Sequence, residues 1–287
     1  MGRAVRDLEV ASDQTGPALA LEDVSRQFAI AGGATYQALD RVSFAVARGE
    51  FLAIVGPTGC GKSTILSLAA GLLRPTSGRI LSFNAPLERL NRQAAYLFQQ
   101  DVLLPWKTAL ENVMLGPLLH RWPRGRAAEE ARRWLARVGL AGFEDRFPHQ
   151  LSGGMRKRVA LAQSLIVGPA ILLMDEPFSA LDVQTRELME NDLLTLWQEE
   201  RKTIVFVTHD LEEAIALSDR VLVLAAGPGT RVIGTHAITL PRPRDVTEVR
   251  LHPAFREVYR TIWAQLRGEV LRAYADQAGA RARGGTA

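Results

Sequence analysis

The chain has 287 residues, which is long enough to bury the core of one large domain or two small ones. Its formal net charge is +4 and its acidic and basic residues are interspersed, so a solvated surface is favoured over nucleic acid as a partner. No apolar run reaches the roughly 20 residues of a membrane-spanning helix, and the single cysteine, Cys60, excludes an internal disulfide.

The chain begins with residues 1–17, which show no sustained pattern and are predicted to form a flexible lead-in rather than a secretory signal. Short apolar runs then predict three strands, at Ala18–Leu21, Val42–Val46 and Phe51–Val55. The third run is apolar throughout, which is typical of a strand buried on both faces. A helix is predicted to follow Gly61 and to end near Gly71.

The middle of the chain, about residues 87–165, is predicted to be a helical subdomain broken by several prolines. Within it, Arg126–Val138 has apolar residues on one face and charges on the other, as an amphipathic helix requires. Strands and helices then alternate, with strands predicted at Ile171–Met174, Thr203–Val207 and Arg220–Leu224 and helices at Val183–Glu200 and Leu211–Leu217. This alternation predicts βαβ units and therefore an α/β domain with a largely parallel sheet.

The C-terminal region, residues 236–274, is predicted to be a short helical tail that follows a main domain of residues 18–235. Its helix, Pro253–Ala273, has an apolar face formed by Phe255, Val258, Ile262 and Trp263. The last residues, 275–287, are rich in small and polar side chains and are predicted to be disordered.

A phosphate-binding loop follows the third predicted strand. The residues Gly56-Pro57-Thr58-Gly59-Cys60-Gly61-Lys62-Ser63, with Thr64 after them, match the pattern G-x-x-x-x-G-K-[ST]. The glycines let backbone N–H groups point at phosphates, and the N-terminus of the following helix favours negative charge. We expect Lys62 to contact the β- and γ-phosphates of ATP and the Ser63 hydroxyl to bind Mg²⁺. An accidental match in a Gly-rich turn is the alternative, and the flanking strand and helix argue against it.

Two carboxylates end another apolar strand, in Ile171-Leu172-Leu173-Met174-Asp175-Glu176. If this strand lies beside the one before the phosphate loop, Asp175 is near the Mg²⁺ ion and Glu176 can polarise an attacking water as general base. Taken alone, an apolar strand followed by Asp-Glu is common. Together with the phosphate loop it indicates a nucleoside triphosphatase that activates water beside the metal.

A second potential anion site lies at Leu151-Ser152-Gly153-Gly154-Met155. Ser152 would cap the helix that follows, and the N–H groups at a helix N-terminus attract phosphate. A plain capped helix is the alternative if this segment is considered alone. Since the domain already has a phosphate loop, the segment suggests that ATP is held between two subunits.

Taken in order, these motifs resemble those of the ABC ATPases: GPTGCGKST, Gln99, LSGGM, LLMDEP, Ser179-Ala180-Leu181-Asp182 and His209. The resemblance runs from about Leu19 to Leu224. It implies a P-loop NTPase fold of the RecA-like class, with a mixed, largely parallel sheet core, an antiparallel β edge and a helical ABC subdomain. It also implies a head-to-tail dimer, here a homodimer, in which each ATP lies between one phosphate loop and the Ser-Gly-Gly of the partner.

The same resemblance implies roles for single residues around the γ-phosphate. Gln99 would sense the γ-phosphate and bind the metal together with Ser63 and Asp175. His209 would position the γ-phosphate and the water that Glu176 activates.

Other residues are placed by the resemblance at the edges of the site. Asp182 would help to couple the two sites, and Phe28, or alternatively Tyr36, would stack on adenine. Lys157 and Gln163 depart from the family pattern in the helix after Ser-Gly-Gly. We expect these departures to affect how that helix packs or couples, and to leave ATP binding intact.

The segment after Gln99 resembles that of importer ATPases through LLPW (Leu103–Trp106) and ENV (Glu111–Val113). The resemblance is to the nitrate, sulfonate and taurine group, with its bicarbonate-associated relatives. It implies an ATPase peripheral to the cytoplasmic face of the inner membrane, bound to permease subunits and served indirectly by a periplasmic or extracellular solute-binding protein. The solute would be a small anion such as nitrate, taurine or an aliphatic sulfonate. The alternatives are an importer of another small solute and a soluble ABC ATPase of DNA repair or translation.

Overall fold

The computed structural model describes residues 16–30, 33–100 and 102–284, with side chains described as far as residue 275. The strands of this part of the chain are β1 Leu19–Ala29, β2 Thr35–Val46, β3 Phe51–Val55, β4 Ser77–Ser82, β5 Ala85–Pro86, β6 Ala94–Leu97, β7 Ile171–Asp175, β8 Thr203–Val207, β9 Arg220–Leu224 and β10 Val232–Ala237. The helices are α1 Lys62–Ala69, α2 Ala109–Val113, α3 Leu115–Leu119, α4 Arg124–Arg137, α5 Gly153–Leu165, α6 Val183–Glu200, α7 Leu211–Leu217, α8 Val246–Leu251 and α9 Pro253–Gly284.

The strands form two sheets. The six-stranded sheet has the order β10-β9-β3-β8-β7-β6, in which β10 is antiparallel to β9 and the other neighbours are parallel. The four-stranded sheet is antiparallel, with the order β2-β1-β4-β5. The predicted fold class, a largely parallel core with an antiparallel β edge and a helical subdomain, is confirmed.

The central strand β3 is fully buried and packs on both faces. Phe51, Ala53 and Val55 point into the cluster that includes the helical insertion, whereas Leu52 and Ile54 point towards α1 and the antiparallel sheet. This alternation is the normal geometry of a strand whose successive side chains project to opposite faces. The phosphate loop therefore starts from the best-packed strand of the fold.

The helical insertion begins later than predicted. Its helices run from Ala109 in α2 to Leu165 in α5, whereas Ala94–Leu97 is β6, the edge strand of the parallel sheet. The sequence of β6 is short and contains alanine and leucine, which also favour helix, so periodicity alone does not separate the two states. The insertion packs through the apolar face of α4, with Trp134 and Leu135 buried as predicted.

The C-terminal helix α9 extends beyond its predicted end at Ala273. Its backbone is helical to Gly284, within the segment for which the composition favoured disorder. Alanine and arginine are frequent there, and both are strong helix formers. On its apolar face Phe255 and Ile262 are buried as predicted, but Trp263 is 39% exposed.

The N-terminal end of the structure is the antiparallel sheet, which begins at Leu19. The predicted lead-in, residues 1–17, lies outside the described residues except for Gly16 and Pro17. None of the helices in the described ranges is both long and apolar enough to cross a membrane.

Candidate nucleotide site

The carboxyl ends of four parallel strands meet at one edge of the six-stranded sheet. There β3 leads into the phosphate loop, β6 towards Gln99, β7 into Asp175 and Glu176, and β8 towards His209. The strand that ends in Asp175, β7, is not the direct neighbour of β3 as expected, because β8 lies between them. Ligands of open α/β sheets bind at this edge, so the topology still brings the predicted residues together. A cleft of about 440 Å³ is lined there by Thr58, Gly59, Gly61, Lys62, Ser63, Thr64, Gln99, Glu176 and His209.

Lys62 is held inside the phosphate loop. Its buried ammonium donates to the carbonyl oxygens of Gly56 at 2.9 Å and Pro57 at 3.1 Å. The loop can wrap around the ammonium because Gly59 and Gly61 have φ values of 79° and 101°, in the left-handed region that glycine adopts readily. The cation and the N–H groups at the start of α1 thus converge on one anion position.

Asp175 is held by two hydroxyl groups. Ser63 Oγ donates to its Oδ1 atom at 3.0 Å, and the Tyr96 hydroxyl donates to its Oδ2 atom at 3.0 Å. Burial, together with the nearby Asp175, raises the pKa of Tyr96, so Tyr96 stays protonated and acts as a donor. A hydroxyl and a carboxylate in contact are oxygen ligands of the kind Mg²⁺ takes in addition to phosphate oxygens, so these residues fit the ion.

Glu176 has a backbone conformation that directs its side chain into the cleft. Its φ is 44°, in the left-handed region, and its N–H donates to the Val207 carbonyl at 2.9 Å. Its Oε2 atom accepts from Gln99 Nε2 at 3.3 Å and lies 3.0 Å from His209 Nδ1, while Oε1 is 4.0 Å from Lys62 Nζ. Non-glycine residues with this conformation are uncommon and concentrate at functional sites. Glu176 therefore contacts both of the other predicted catalytic side chains, His209 and Gln99.

The loop that carries His209 is held by its neighbours Thr208, Asp210 and Glu213. The Thr208 hydroxyl donates to Glu213 Oε2 at 2.6 Å and accepts from the N–H of Asp210 at 3.0 Å. Glu213 is buried, and this burial raises its pKa. The contacts on both sides of His209 thus fix the loop that carries it.

The Ser-Gly-Gly segment is separate from this cleft. Ser152 is exposed and caps α5 by accepting from the N–H of Met155 at 3.2 Å, and Gly154 is buried against Thr185. Asp182 caps α6 by accepting from the N–H of Thr185 at 3.0 Å. Among the described residues that line the cleft, none comes from this segment. The predicted ATP-binding residues therefore form two groups on one chain.

Comparison with known proteins identifies the family. A sequence profile of the ABC transporter family matches residues 39–179. An uncharacterized ABC transporter ATP-binding protein of Methanocaldococcus jannaschii is 44% identical over 254 residues, which cover 88% of this chain and 93% of that protein. This chain belongs to the ABC transporter ATP-binding proteins. It is an ATPase that hydrolyses ATP.

Two further relatives of this ABC ATPase have names that state a solute. The taurine import ATP-binding protein TauB of Yersinia pestis is 45% identical over 192 residues, covering 67% of this chain and 75% of that protein. The bicarbonate transport ATP-binding protein CmpC of Synechococcus elongatus is 38% identical over 239 residues, covering 83% of this chain and 36% of that protein. The predicted similarity to the nitrate, sulfonate, taurine and bicarbonate-related group is confirmed.

A solved ATP-binding cassette shares the fold of this ABC ATPase. Its structure is a dimer in a post-hydrolysis state, bound to ADP and Pi. The TM-score is 0.69 at 33% sequence identity, and the match covers 77% of this chain and 98% of that cassette. The P-loop NTPase fold expected from the motifs is thereby confirmed.

Lys157, one of the two departures from the family pattern, joins the signature helix α5 of this ABC ATPase to the loop that carries Gln99. Its side chain is buried, and its ammonium donates to the Gln99 carbonyl oxygen at 2.5 Å. Gln163 is half-buried on the same helix. The contact of Lys157 links the segment after Ser-Gly-Gly to a residue of the cleft, and its effect on coupling stays a prediction.

The adenine-stacking residue stays a prediction. Phe28 and Tyr36 lie opposite each other on β1 and β2, and the guanidinium of Arg26 lies 4.6 Å from the centre of the Phe28 ring. The Tyr36 hydroxyl lies beside Gly227, which in turn is close to the backbone of Cys60. Tyr36 is thus adjacent to the phosphate loop, and Phe28 is its direct neighbour across the strand pair.

Cys60 is expected to react slowly with alkylating reagents. It is buried in the phosphate loop, and this burial raises the pKa of its thiol, so little of the reactive thiolate is present at neutral pH. We expect N-ethylmaleimide to label the native chain roughly tenfold or more slowly than the chain unfolded in urea, with the rate rising as pH approaches the raised pKa. Mass spectrometry of timed samples measures both rates.

Alkylated Cys60 is also expected to obstruct ATP binding, because the added group would occupy the loop. The modified and refolded chain would be titrated with ATP beside an untreated chain taken through the same unfolding. Rapid labelling of the native chain, or unchanged ATP affinity after complete labelling, would contradict the expectation.

Proposed function

We propose that this protein is the ATPase subunit of an importer for a small anion, and that two copies hydrolyse MgATP at two shared sites. The main observation in favour of shared sites is that the cleft is lined by Lys62, Glu176 and His209 but by no residue of the Ser-Gly-Gly segment. The N-terminus of α5, capped by the exposed Ser152, favours anion binding. The cleft of the same chain does not bring a phosphate to it. A second copy in head-to-tail orientation supplies the missing half to each cleft.

The chemistry follows from the contacts in the cleft. Lys62 binds the β- and γ-phosphates. Ser63, Asp175 and Gln99 are the residues that would hold Mg²⁺, and the ion would supply charge neutralisation at the phosphates. Glu176 accepts a proton from the attacking water, and His209, 3.0 Å from its Oε2 atom, orients the carboxylate. The ADP and Pi bound to the similar cassette support ATP hydrolysis as the reaction.

A groove beside the edge strand β6 supports attachment to a permease. It has a volume of about 760 Å³ and lies between the edge strand β6, which contributes Tyr96, and the helical insertion, which contributes Leu119. The apolar side chains of Leu72, Leu90, Phe98 and Leu119 at this groove are exposed. Clustered exposed apolar residues mark protein contact sites, and a membrane subunit presenting a short helix to the cytoplasm fits such a groove.

The loop before α2 contains another exposed apolar residue, Trp106, which is available for contact with a permease. The side-chain oxygen of the buried Asn112 accepts from the backbone N–H of Leu104, and its side-chain nitrogen donates to the Leu104 carbonyl oxygen. These two bonds fix the loop that contains Trp106. The Trp106 side chain is 69% exposed. This ordered, exposed tryptophan agrees with the importer-like segment predicted after Gln99.

Replacing Leu119 by glutamate is expected to uncouple the protein from its permease. The change adds a charge to the apolar groove without touching the cleft, so the isolated chain should hydrolyse ATP normally while ATP-driven uptake falls about tenfold or more. Uptake would be measured in proteoliposomes that contain the permease, with labelled taurine, alkanesulfonate, nitrate and bicarbonate in parallel.

A matched control for this change is Leu251→Glu. Leu251 is 70% exposed on α8, outside the groove, so the same charge there should leave uptake and permease co-purification unchanged. Normal uptake by Leu119→Glu would show that the groove does not bind the permease. The labelled solute that is accumulated identifies the anion, and failure of all four would remove the proposed solute class.

A further inference from the structure

A second cavity borders the nucleotide cleft and has the C-terminal helix α9 as one wall. Its volume is about 390 Å³. The opposite wall is the first half of the phosphate loop, Gly56 to Thr58, together with His209. Thr58 and His209 line both the cavity and the cleft. The C-terminal helix therefore reaches the face of the domain at which ATP binds.

Specific contacts hold α9 in this position. Phe255, Ile262 and Leu266 are buried in the main core, so the first half of the helix is part of the domain. Further along, the buried Glu269 accepts from the N–H of Ala226 at 2.8 Å. Ala226 begins the turn after β9, beside the phosphate loop, so this bond fixes the second half of α9 next to the loop.

The wall formed by α9 has a regular pattern. Trp263, Leu266, Val270, Ala273 and Tyr274 line the cavity, at a spacing that places them along one side of a helix. Leu266 is buried, but Trp263 is 39% and Tyr274 69% exposed. Exposed tryptophan and tyrosine beside an apolar stripe are the residues that most often anchor protein interfaces.

We propose that this stripe of α9 (Trp263, Val270 and Tyr274) contacts a second copy of the chain when ATP brings two copies together. The proposal rests on the shared ATP sites of the proposed function. The stripe lines the cavity, and Thr58 and His209 line both this cavity and the nucleotide cleft. The stripe is therefore continuous with the surface that must meet the partner. The side chain of Tyr274 is 69% exposed, and a second protein surface can cover it.

The role of α9 in this arrangement is to extend the dimer interface beyond the nucleotide. The stripe binds the partner only when the cleft is closed on ATP, since the partner approaches the same face. Loss of the stripe should therefore weaken the ATP-bound dimer and leave ATP binding by a single chain unchanged.

The experiment measures ATP-dependent dimerisation of the full chain by sedimentation velocity. The parent is Glu176→Gln, chosen to slow hydrolysis, and the test variant adds Trp263→Ala and Tyr274→Ala. We expect the dimer dissociation constant to rise about tenfold or more, as for the loss of aromatic interface anchors. The matched control adds Leu271→Ala to the same parent. Leu271 is 59% exposed on the same helix but does not line the cavity, so this variant should behave as the parent does.

A photo-crosslinker in place of Tyr274 provides direct detection, because a benzophenone side chain there should join two copies in the presence of MgATP but not without it. The same group in place of Leu271 should give no such product. ATP affinity would be measured separately at concentrations at which the chain is monomeric.

The outcomes distinguish this proposal from the one on which it rests. If the Glu176→Gln parent does not dimerise with ATP, the shared sites fail and the role of α9 fails with them. If the parent dimerises and the double variant dimerises equally well, only the role of α9 is overturned. A double variant that loses ATP affinity as a monomer would also overturn it, since the stripe would then act within one chain.

Discussion

Glu176→Gln is expected to abolish nearly all ATP hydrolysis while ATP still binds. The carboxylate is the only acidic group among the described residues lining the cleft, and it contacts both Gln99 and His209. A glutamine keeps the size and the hydrogen bond from Gln99 but cannot accept a proton from water. Loss of a general base typically lowers the rate by about 10²–10⁴-fold, and we expect a fall in kcat within this range.

The measurement is steady-state phosphate release together with ATP binding by titration calorimetry. The control is Glu212→Gln, an exposed glutamate in the first turn of α7 that does not line the cleft, and it should keep its normal kcat. Bound ATP that turns over at a near-normal rate in Glu176→Gln would remove Glu176 from the role of base. Lost ATP affinity in the same variant would instead indicate a binding role.

The parts of the site that the sequence reveals are those fixed by local spacing. The phosphate loop, the Asp175-Glu176 pair and His209 each follow an apolar run of strand length, and parallel strands must bring such ends to one edge. The strands β7, β8 and β9 and the helices α6 and α7 were predicted within a residue of their observed bounds for the same reason. Periodicity and motif order together carry this information.

The supporting residues could not be found in this way, because their partners are distant in the chain. Tyr96 donates to Asp175 across 79 positions, and Lys157 reaches the Gln99 carbonyl across 58. No local pattern distinguishes Tyr96 from an ordinary strand tyrosine. Only the pairing of β6 with β7 brings its hydroxyl to the carboxylate.

The orientation of α9 shows a different limit. Trp263 was assigned to the same apolar face as Phe255 and Ile262. The helix instead has a buried side with Phe255 and Ile262 and an exposed side with Trp263 and Tyr274. Hydrophobicity alone does not separate a core residue from one on an exposed stripe. The second side is apparent only when the helix is placed beside the phosphate loop.

Ser152→Arg is expected to leave ATP binding by the single chain unchanged and to prevent ATP-dependent dimerisation and hydrolysis. Ser152 is outside the cleft, so the phosphate loop of the same chain is not affected. In the dimer, however, the large arginine side chain would occupy the position of a phosphate of the ATP bound in the partner's phosphate loop. Lys62→Ala provides the contrast, because the loss of a charge-assisted contact in the cleft should weaken binding itself. Nucleotide titration and sedimentation in the Glu176→Gln background separate the two effects.

Ser152→Arg also removes the N-cap of α5, and the resulting loss of stability needs a separate control. Losing a cap costs about 1 kcal/mol of stability, and Thr108→Ala removes the cap of α2 without altering either half of the ATP site. It should dimerise normally, so a fall in dimerisation that is limited to Ser152→Arg reports the shared site. ATP-dependent dimerisation of Ser152→Arg at the level of the parent would contradict shared ATP binding.

Mixing the two variants extends the argument to the geometry of the dimer. If each ATP lies between the phosphate loop of one chain and the Ser-Gly-Gly of the other, a dimer of Lys62→Ala with Ser152→Arg has both defects in one site and none in the second. We expect the mixture to associate with ATP although neither variant does so alone, and to trap half as much ATP per dimer as the parent. Two independent sites within single chains would give no such recovery, because the intact site arises only when each chain supplies its undamaged half to the other.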